Sequence, residues 1–554
     1  MGSYWSSFYS TEKGATTPTD TETNRRGKRA NDTDLDTDNL EDPLLYTPQK
    51  KKLKSTTDYI YQVLFVNGEN SDITITALGK EWKLHKIYLK QCGYFDSMFN
   101  GSWREAEASS ISLDIPDDNI DVEALSIAFG CLYRDDFTIE PVKVVPVLAA
   151  ACLLQLDGLM QQCAVIMMDT ISMNTVCEYY ECSVTYGLTL VTAECFKWFE
   201  NNIMYKQTKI LLKHISSQLL QQLIESPDLF VMQVEMDVYN LLKRWLFLQL
   251  VPGWSGSYRK ELTKQADAHF KEAVRQEFGR GSSRSYLETK CGRKYKCVFA
   301  TLRLQHILVD LTSTNTLLKD RLLPKEWLMP YFKAQWMTML RVEQGEELGP
   351  KKEEVEESIF NQQSLRCARV LNRDTEHQWR WIGFNYGVDL VVTYTGRTII
   401  LKRNSSSHNR LLSTQSRRYV MFKVTVSCLN DLGQVTYTKT SGVVTTDFEK
   451  DGQVLALSVD RKATMPLRVA LNLLYITPKL SDSLPNLLNI RLPHTHCGSC
   501  RRRRKSVTAI ASTSCTDIDG SQCDVTGRAD SPAAPSPSSV GSSEGCCLHW
   551  RCRL

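Results

Sequence analysis

Four residues near the C-terminal end of this 554-residue chain have the side chains of a metal site. His494, His496, Cys497 and Cys500 read H-x-H-C-x-x-C, the ligand types that hold zinc. The span is compressed and no apolar periodicity frames it, so no metal and no cofactor is expected. At the other end, Met1-Gly2-Ser3-Tyr4-Trp5-Ser6 fits the acceptor pattern for myristoylation at Gly2. A single acyl chain gives only weak membrane association and needs a second signal. Lys50, Lys51, Lys52 and Lys54, or the earlier Arg25–Arg29 cluster, could supply one, or could serve nuclear import. Arg501–Lys505 is a further basic run.

Catalysis finds little support. The chain has no G-x-S-x-G, no phosphate-binding glycine loop and no H-E-x-x-H. Its 9 histidines are scattered, and none of its 18 cysteines forms a recognisable pair with one. His85 ends a short strand and reads as structural. The chain is therefore expected not to be an enzyme. A net charge of +4, from 67 basic and 63 acidic residues, gives no global field toward nucleic acid. Cys152, Cys163 and Cys195 sit in apolar patterns, as small hydrophobes do. The polar N-terminus has no apolar signal core, so a reducing compartment is expected.

The elements that would carry these residues fall into segments. Residues 1–55 are polar, with an acidic run and basic clusters, and read as disordered. Residues 56–168 read as an α+β unit. Ile73, Ile75 and Ala77 alternate on a strand, Gly79 turns, and Trp82 and Leu84 alternate on a second. Leu89, Cys92, Phe95 and Phe99 follow at helical spacing. Ile111, Leu113 and Ile115 form another strand, and Asp117 to Asp121 offer helix caps. Residues 169–345 read as all-helical, with stripes such as Val234, Val238, Leu241, Leu242 and Trp245. Within them, residues 253–297 are polar and basic and read as a loop-like insertion. After a charged linker the period falls to two. Residues 357–478 hold six or so short strands, an antiparallel β-rich domain that reads as a separate folding unit. Trp379, Trp381, Phe384 and Tyr386 are its aromatic candidates for partner contact or core. Residues 481–554 read as a disordered tail.

The hairpin and helix over residues 72–105 resemble the opening of a BTB/POZ domain. Residues 175–202 with VYNLLKRW resemble a BACK domain. The span from about 44 to 478 resembles the germ cell-less protein family, carried by IDVEALSIAFGCLYRDD, LAAACLLQLDGLMQQC, LFVMQVEMDVYNLLKRWLFLQLVP and HQWRWIGFNYGVDLVVTYT. The resemblance implies a substrate adaptor of a cullin-3 ubiquitin ligase, placed in the nucleus at its envelope or matrix, with a role in germ-cell development. It implies cullin-binding by Phe99, Trp103 and Glu105, the last two following Met98-Phe99 as a hydrophobic-x-Glu motif. It implies a homodimer through Ile60, Val63 and Leu64, with Asp72 resembling a buried interface aspartate. It favours nuclear import for Lys50–Lys54. The β-rich region would hold an unknown protein substrate, with a nuclear-envelope protein as a further partner. The alternative is a non-enzymatic nuclear-envelope scaffold or transcriptional co-regulator in which the BTB unit only dimerises.

Overall fold

A computed structural model describes residues 55–101, 106–134, 138–344, 349–383, 388–404 and 417–477. The chain opens on helix Thr56–Ile60, which widens into a π turn over Tyr61–Val66. Strand β1 (Ile73–Ala77) then pairs antiparallel with β2 (Lys80–Leu84). The turn between them has positive φ at both Leu78 and Gly79. That is the hairpin geometry whose twist matches the flanking strands. Strand β3 (Ser110–Ser112) joins β1 in parallel, giving the order β2-β1-β3. Helices close over this sheet. Helix Val122–Gly130 starts where Asp121 Oδ1 accepts the Ala124 N–H at 2.6 Å. Helix Val144–Leu154 is buried on nearly every side, from Val144 to Leu154. A helix apolar all round belongs inside a core.

The helical region continues the same core without a break, from Ile73 to Leu328. Helices Val176–Thr185 and Thr189–Asn202 form an antiparallel pair about Gly187, whose φ of 76° suits glycine. Tyr186 donates to Asp117 at 2.7 Å and so ties this turn to the first unit. Further on, helix Met236–Leu250 buries Lys243, whose Nζ lies 2.7 Å from both Asp320 and Asp267. The insertion is not a loop. Residues Arg259–Phe278 form a 20-residue helix that buries Leu262, Ala266, Phe270 and Val274. These recur every fourth residue, a stripe one side chain wide among charges.

The C-terminal region is a two-layer antiparallel sandwich, as its period of two suggests. Among the described residues it has nine strands, more than the six read from sequence. They are β4 (Leu365–Leu371), β5 (His377–Gly383), β6 (Val388–Thr395), β7 (Thr398–Arg403), β8 (Arg418–Leu429), β9 (Val435–Thr440), β10 (Val444–Phe448), β11 (Gln453–Ser458) and β12 (Leu467–Ile476). One sheet runs β10-β8-β12-β4, with β9 also paired to β8, and the other runs β11-β7-β6-β5. Leu390, Val392, Ile399 and Leu401 of one face Phe422, Val424, Val426 and Leu471 of the other. Trp379 is buried in this core, which removes it as an exposed anchor. Phe384 and Tyr386 lie outside the described residues. No helix among the described residues is long and apolar enough to cross a membrane.

Candidate protein-interaction sites

The segment expected to meet cullin starts from helix Gly93–Asn100. Phe95 is buried, and the half-buried Phe99 stacks on it with ring centroids 5.7 Å apart. Lys86 organises the surroundings. Its Nζ sits 5.5 Å from the Phe99 ring and donates to the Ala106 carbonyl at 3.0 Å. One side chain thereby touches both Phe99 and Ala106. Trp103 and Glu105 themselves lie outside the described residues. Ile87, next to Lys86, is 77% exposed and adds an apolar knob beside these contacts.

Asp72 is exposed in the single chain rather than buried. Its Oδ1 accepts the Lys86 N–H at 2.8 Å, capping the short helix Lys86–Leu89. A carboxylate at a helix start satisfies an otherwise orphaned donor. Ile60 and Leu64 rest against the core of the first unit, and Val63 is half-buried. Tyr61 packs on Phe65 at 5.1 Å, and Phe65 on Tyr133 at 5.3 Å. Tyr59 and Val66 on the same segment stay more than half exposed.

His85 is a structural residue. Its Nε2 lies 2.9 Å from the Glu69 carbonyl and its Nδ1 3.1 Å from the Tyr133 hydroxyl. A carbonyl accepts only, so Nε2 carries the proton and Tyr133 donates to Nδ1. Tyr133 in turn accepts the His85 backbone N–H at 3.0 Å. Both ring nitrogens are thus engaged. The cysteines among the described residues are all thiols. Burial pushes Cys131, Cys163, Cys177 and Cys195 up to about 12. Such thiols are poor nucleophiles. No group of three metal-binding side chains occurs among the described residues. Gly2, Lys50–Lys54, and the His494–Cys500 cluster lie outside them.

Sequence reasoning missed the junction between helices and sandwich. Arg366 on β4 is almost fully buried. Its Nε and Nη2 donate to the two Glu235 oxygens at 2.8 and 2.9 Å. Its Nη1 donates to the carbonyls of Ile224 and Ser226 at 2.8 and 2.7 Å. Burial alone would raise the Glu235 carboxyl, but Arg366 holds it below its ordinary value. Arg303 donates to the Ser364 and Asn361 carbonyls, and His306 Nε2 sits 2.6 Å from the Gln363 carbonyl. Burial pulls His306 down to about 4. The turn after β8 is held as well. Trp198 Nε1 donates to Leu432 O at 2.9 Å, and Asn202 Nδ2 to Gly433 O at 2.8 Å. A Cβ at Gly433 would stand 2.8 Å from Trp198 Nε1, so only glycine fits this approach. Gln434 Nε2 reaches the Met168 carbonyl at 2.7 Å. The sandwich is therefore docked and not hung on a free linker. A charged residue inside a strand, with its partner 131 positions away, leaves no local periodic signal.

Comparison with known proteins agrees with this architecture. The BTB/POZ domain family matches residues 61–171. The chain is 49% identical to human "Germ cell-less protein-like 1" over 439 residues, covering 79% of this chain and 84% of the relative. It is 36% identical to "Protein germ cell-less" of Drosophila melanogaster over 472 residues, covering 82% and 83%. A shorter likeness, 24% over 141 residues, links it to "Kelch-like protein 22" of Xenopus tropicalis, covering 25% of this chain and 21% of that one.

Proposed function

The chain belongs to the germ cell-less protein family, and from that premise we propose that it is the substrate-recognition adaptor of a cullin-3 ubiquitin ligase, acting at the nuclear envelope in germ-cell development. The observation that carries this reading is the pair of Lys86 contacts. Lys86 contacts both the Phe99 ring, ahead of residues 102–105, and the Ala106 carbonyl, directly after them. On this reading Trp103 and Glu105 supply the hydrophobic-x-Glu contact, an aromatic anchor with a carboxylate two positions on. The aromatic fills a pocket on the cullin, and the carboxylate accepts hydrogen bonds from it. In this reading the protein makes no covalent intermediate and raises substrate concentration beside the ligase. Lys50–Lys54 carries nuclear import, and an acyl chain on Gly2 adds weak membrane association.

Trp103→Ala and Glu105→Lys are each expected to reduce cullin-3 capture at least tenfold while leaving circular dichroism unchanged. Truncating a hot-spot aromatic costs roughly 2 kcal/mol or more. Equal capture by both folded variants would favour the scaffold reading, in which the BTB unit serves dimerisation alone.

A further inference from the structure

Where the sandwich meets the helices, the contact is not closed along its whole length. A cleft of about 290 Å³ opens between them. Its floor is the outer face of the first sheet: Ala368, Ala470, Thr425, Ser427, Thr438 and Thr440. These are small side chains, and Arg366, Lys423 and Asn472 of the same face flank them. Its wall is the 227–231 loop together with Lys197 and Glu200 of helix Thr189–Asn202. The volume suits one long side chain with its adjoining peptide units.

The charges lining the cleft are matched except at one point. Arg366 is answered by Glu235, Lys423 by Asp228 at 2.7 Å, and Lys197 by Glu194 at 3.3 Å. Glu200 is half-buried, and its carboxylate accepts from Ser226 Oγ. Among the described residues, no cation lies within ion-pair distance of it. Burial and, to a lesser extent, the neighbouring Asp228 raise its carboxyl, while the Ser226 hydrogen bond, Lys423 and Lys197 only partly offset this. A half-buried carboxylate beside a cleft favours an incoming cation, because the desolvation is already incurred. The second observation is the strand beside it. β9 pairs with β8 on one side, and its far edge pairs with no strand among the described residues. An unpaired edge offers main-chain donors and acceptors to an extended segment.

We propose that this cleft docks an extended peptide segment of the substrate, with a lysine or arginine of that peptide pairing with Glu200 and its main chain lying along the outer edge of β9. Only the occupant's being a substrate rests on the adaptor reading. The cleft itself stands on its own geometry. Peptides with acidic residues at the same position are excluded by Glu200 and Asp228.

The test uses the full chain and an array of random decapeptides that also carries residues 498–507 of this protein. Bound sequences are expected to be enriched in lysine or arginine at one position. Glu200→Gln, which keeps an acceptor for Ser226, should weaken these peptides at least tenfold. Glu200→Lys should reverse the preference to aspartate or glutamate. Thr438→Trp, which fills the floor without touching Glu200, should also abolish binding. Absence of a basic preference, or wild-type binding by either Glu200→Gln or Thr438→Trp, overturns the site. It is equally overturned if the 498–507 peptide outcompetes every other sequence, since the occupant would then be the chain's own tail. Cullin-3 capture by the unsubstituted chain is measured alongside. Its failure removes the adaptor reading while leaving a peptide preference in place, so the two are told apart.

Discussion

Arg366 shows how much one side chain can decide. Its guanidinium meets a carboxylate in the bidentate manner and two carbonyls besides, all inside the protein. Removing one member of such a pair leaves the other charge buried and unanswered, at a cost of about 3–5 kcal/mol. Arg366→Met should lower unfolding stability by that amount in urea titration. Adding Glu235→Leu should recover a large part of it. A single variant within 1 kcal/mol of the wild type would show that water reaches the pair. His306 makes a different forecast. Its folded pKa of about 4 lies below the unfolded value of about 6.5. As pH falls, the unfolded chain takes up this proton first, so stability is full above about 6.5 and declines toward about 4. Between pH 7.5 and 5 the loss from this residue should be about 2 kcal/mol. His269 is also lowered by burial and acts in the same direction. Glu235 contributes only at lower pH, since its carboxyl is depressed. Urea titrations of His306→Gln at both pH values isolate the His306 share; an unchanged slope would refute it.

Among the elements, helix Arg259–Phe278 best separates what sequence shows from what it hides. Phe270 is fully buried and lies 4.8 Å from the Tyr286 ring. Phe270→Ala should therefore cost about 3–5 kcal/mol by thermal denaturation, where a loop residue would cost almost nothing. A loss under 1 kcal/mol would mean that this helix is not docked. The stripe Leu262, Ala266, Phe270, Val274 was present in the sequence, but it is one residue wide and includes an alanine. Charged neighbours hid it. Strand β4 was hidden for a related reason, because Arg366 and Arg369 interrupt its apolar run. The first hairpin, the buried helix Val144–Leu154 and the long strands β8 and β12 were legible, since burial on one or both faces writes a clear pattern. Phe99 could be found from its helical spacing. The junction could not, because Glu235, Arg303 and His306 acquire meaning only from residues about 60 to 130 positions away.

For the molecule as a whole, the first segment bears on assembly. Tyr59 and Val66 are exposed beside the half-buried Ile60, Val63 and Leu64. A contiguous apolar surface of this kind is commonly covered by a partner. Light scattering of the full chain at micromolar concentration should give twice the 63.2 kDa chain mass. Tyr59→Asp with Val66→Asp should return it to one chain, as these side chains do not support the internal core. A monomer mass for the wild type would end the dimer proposal.

The turn at residues 430–434 carries one more consequence. It is fastened at Trp198 and Asn202, and again at Met168, so it is tied to two different helices at once. An arm bolted at several points cannot swivel there. If the chain is the adaptor proposed above, cargo carried on such an arm would not sweep an arc in search of the ligase. It would be held at a set reach, and the lysine chosen for modification would be fixed by its distance from the docked segment, as a ruler fixes a mark.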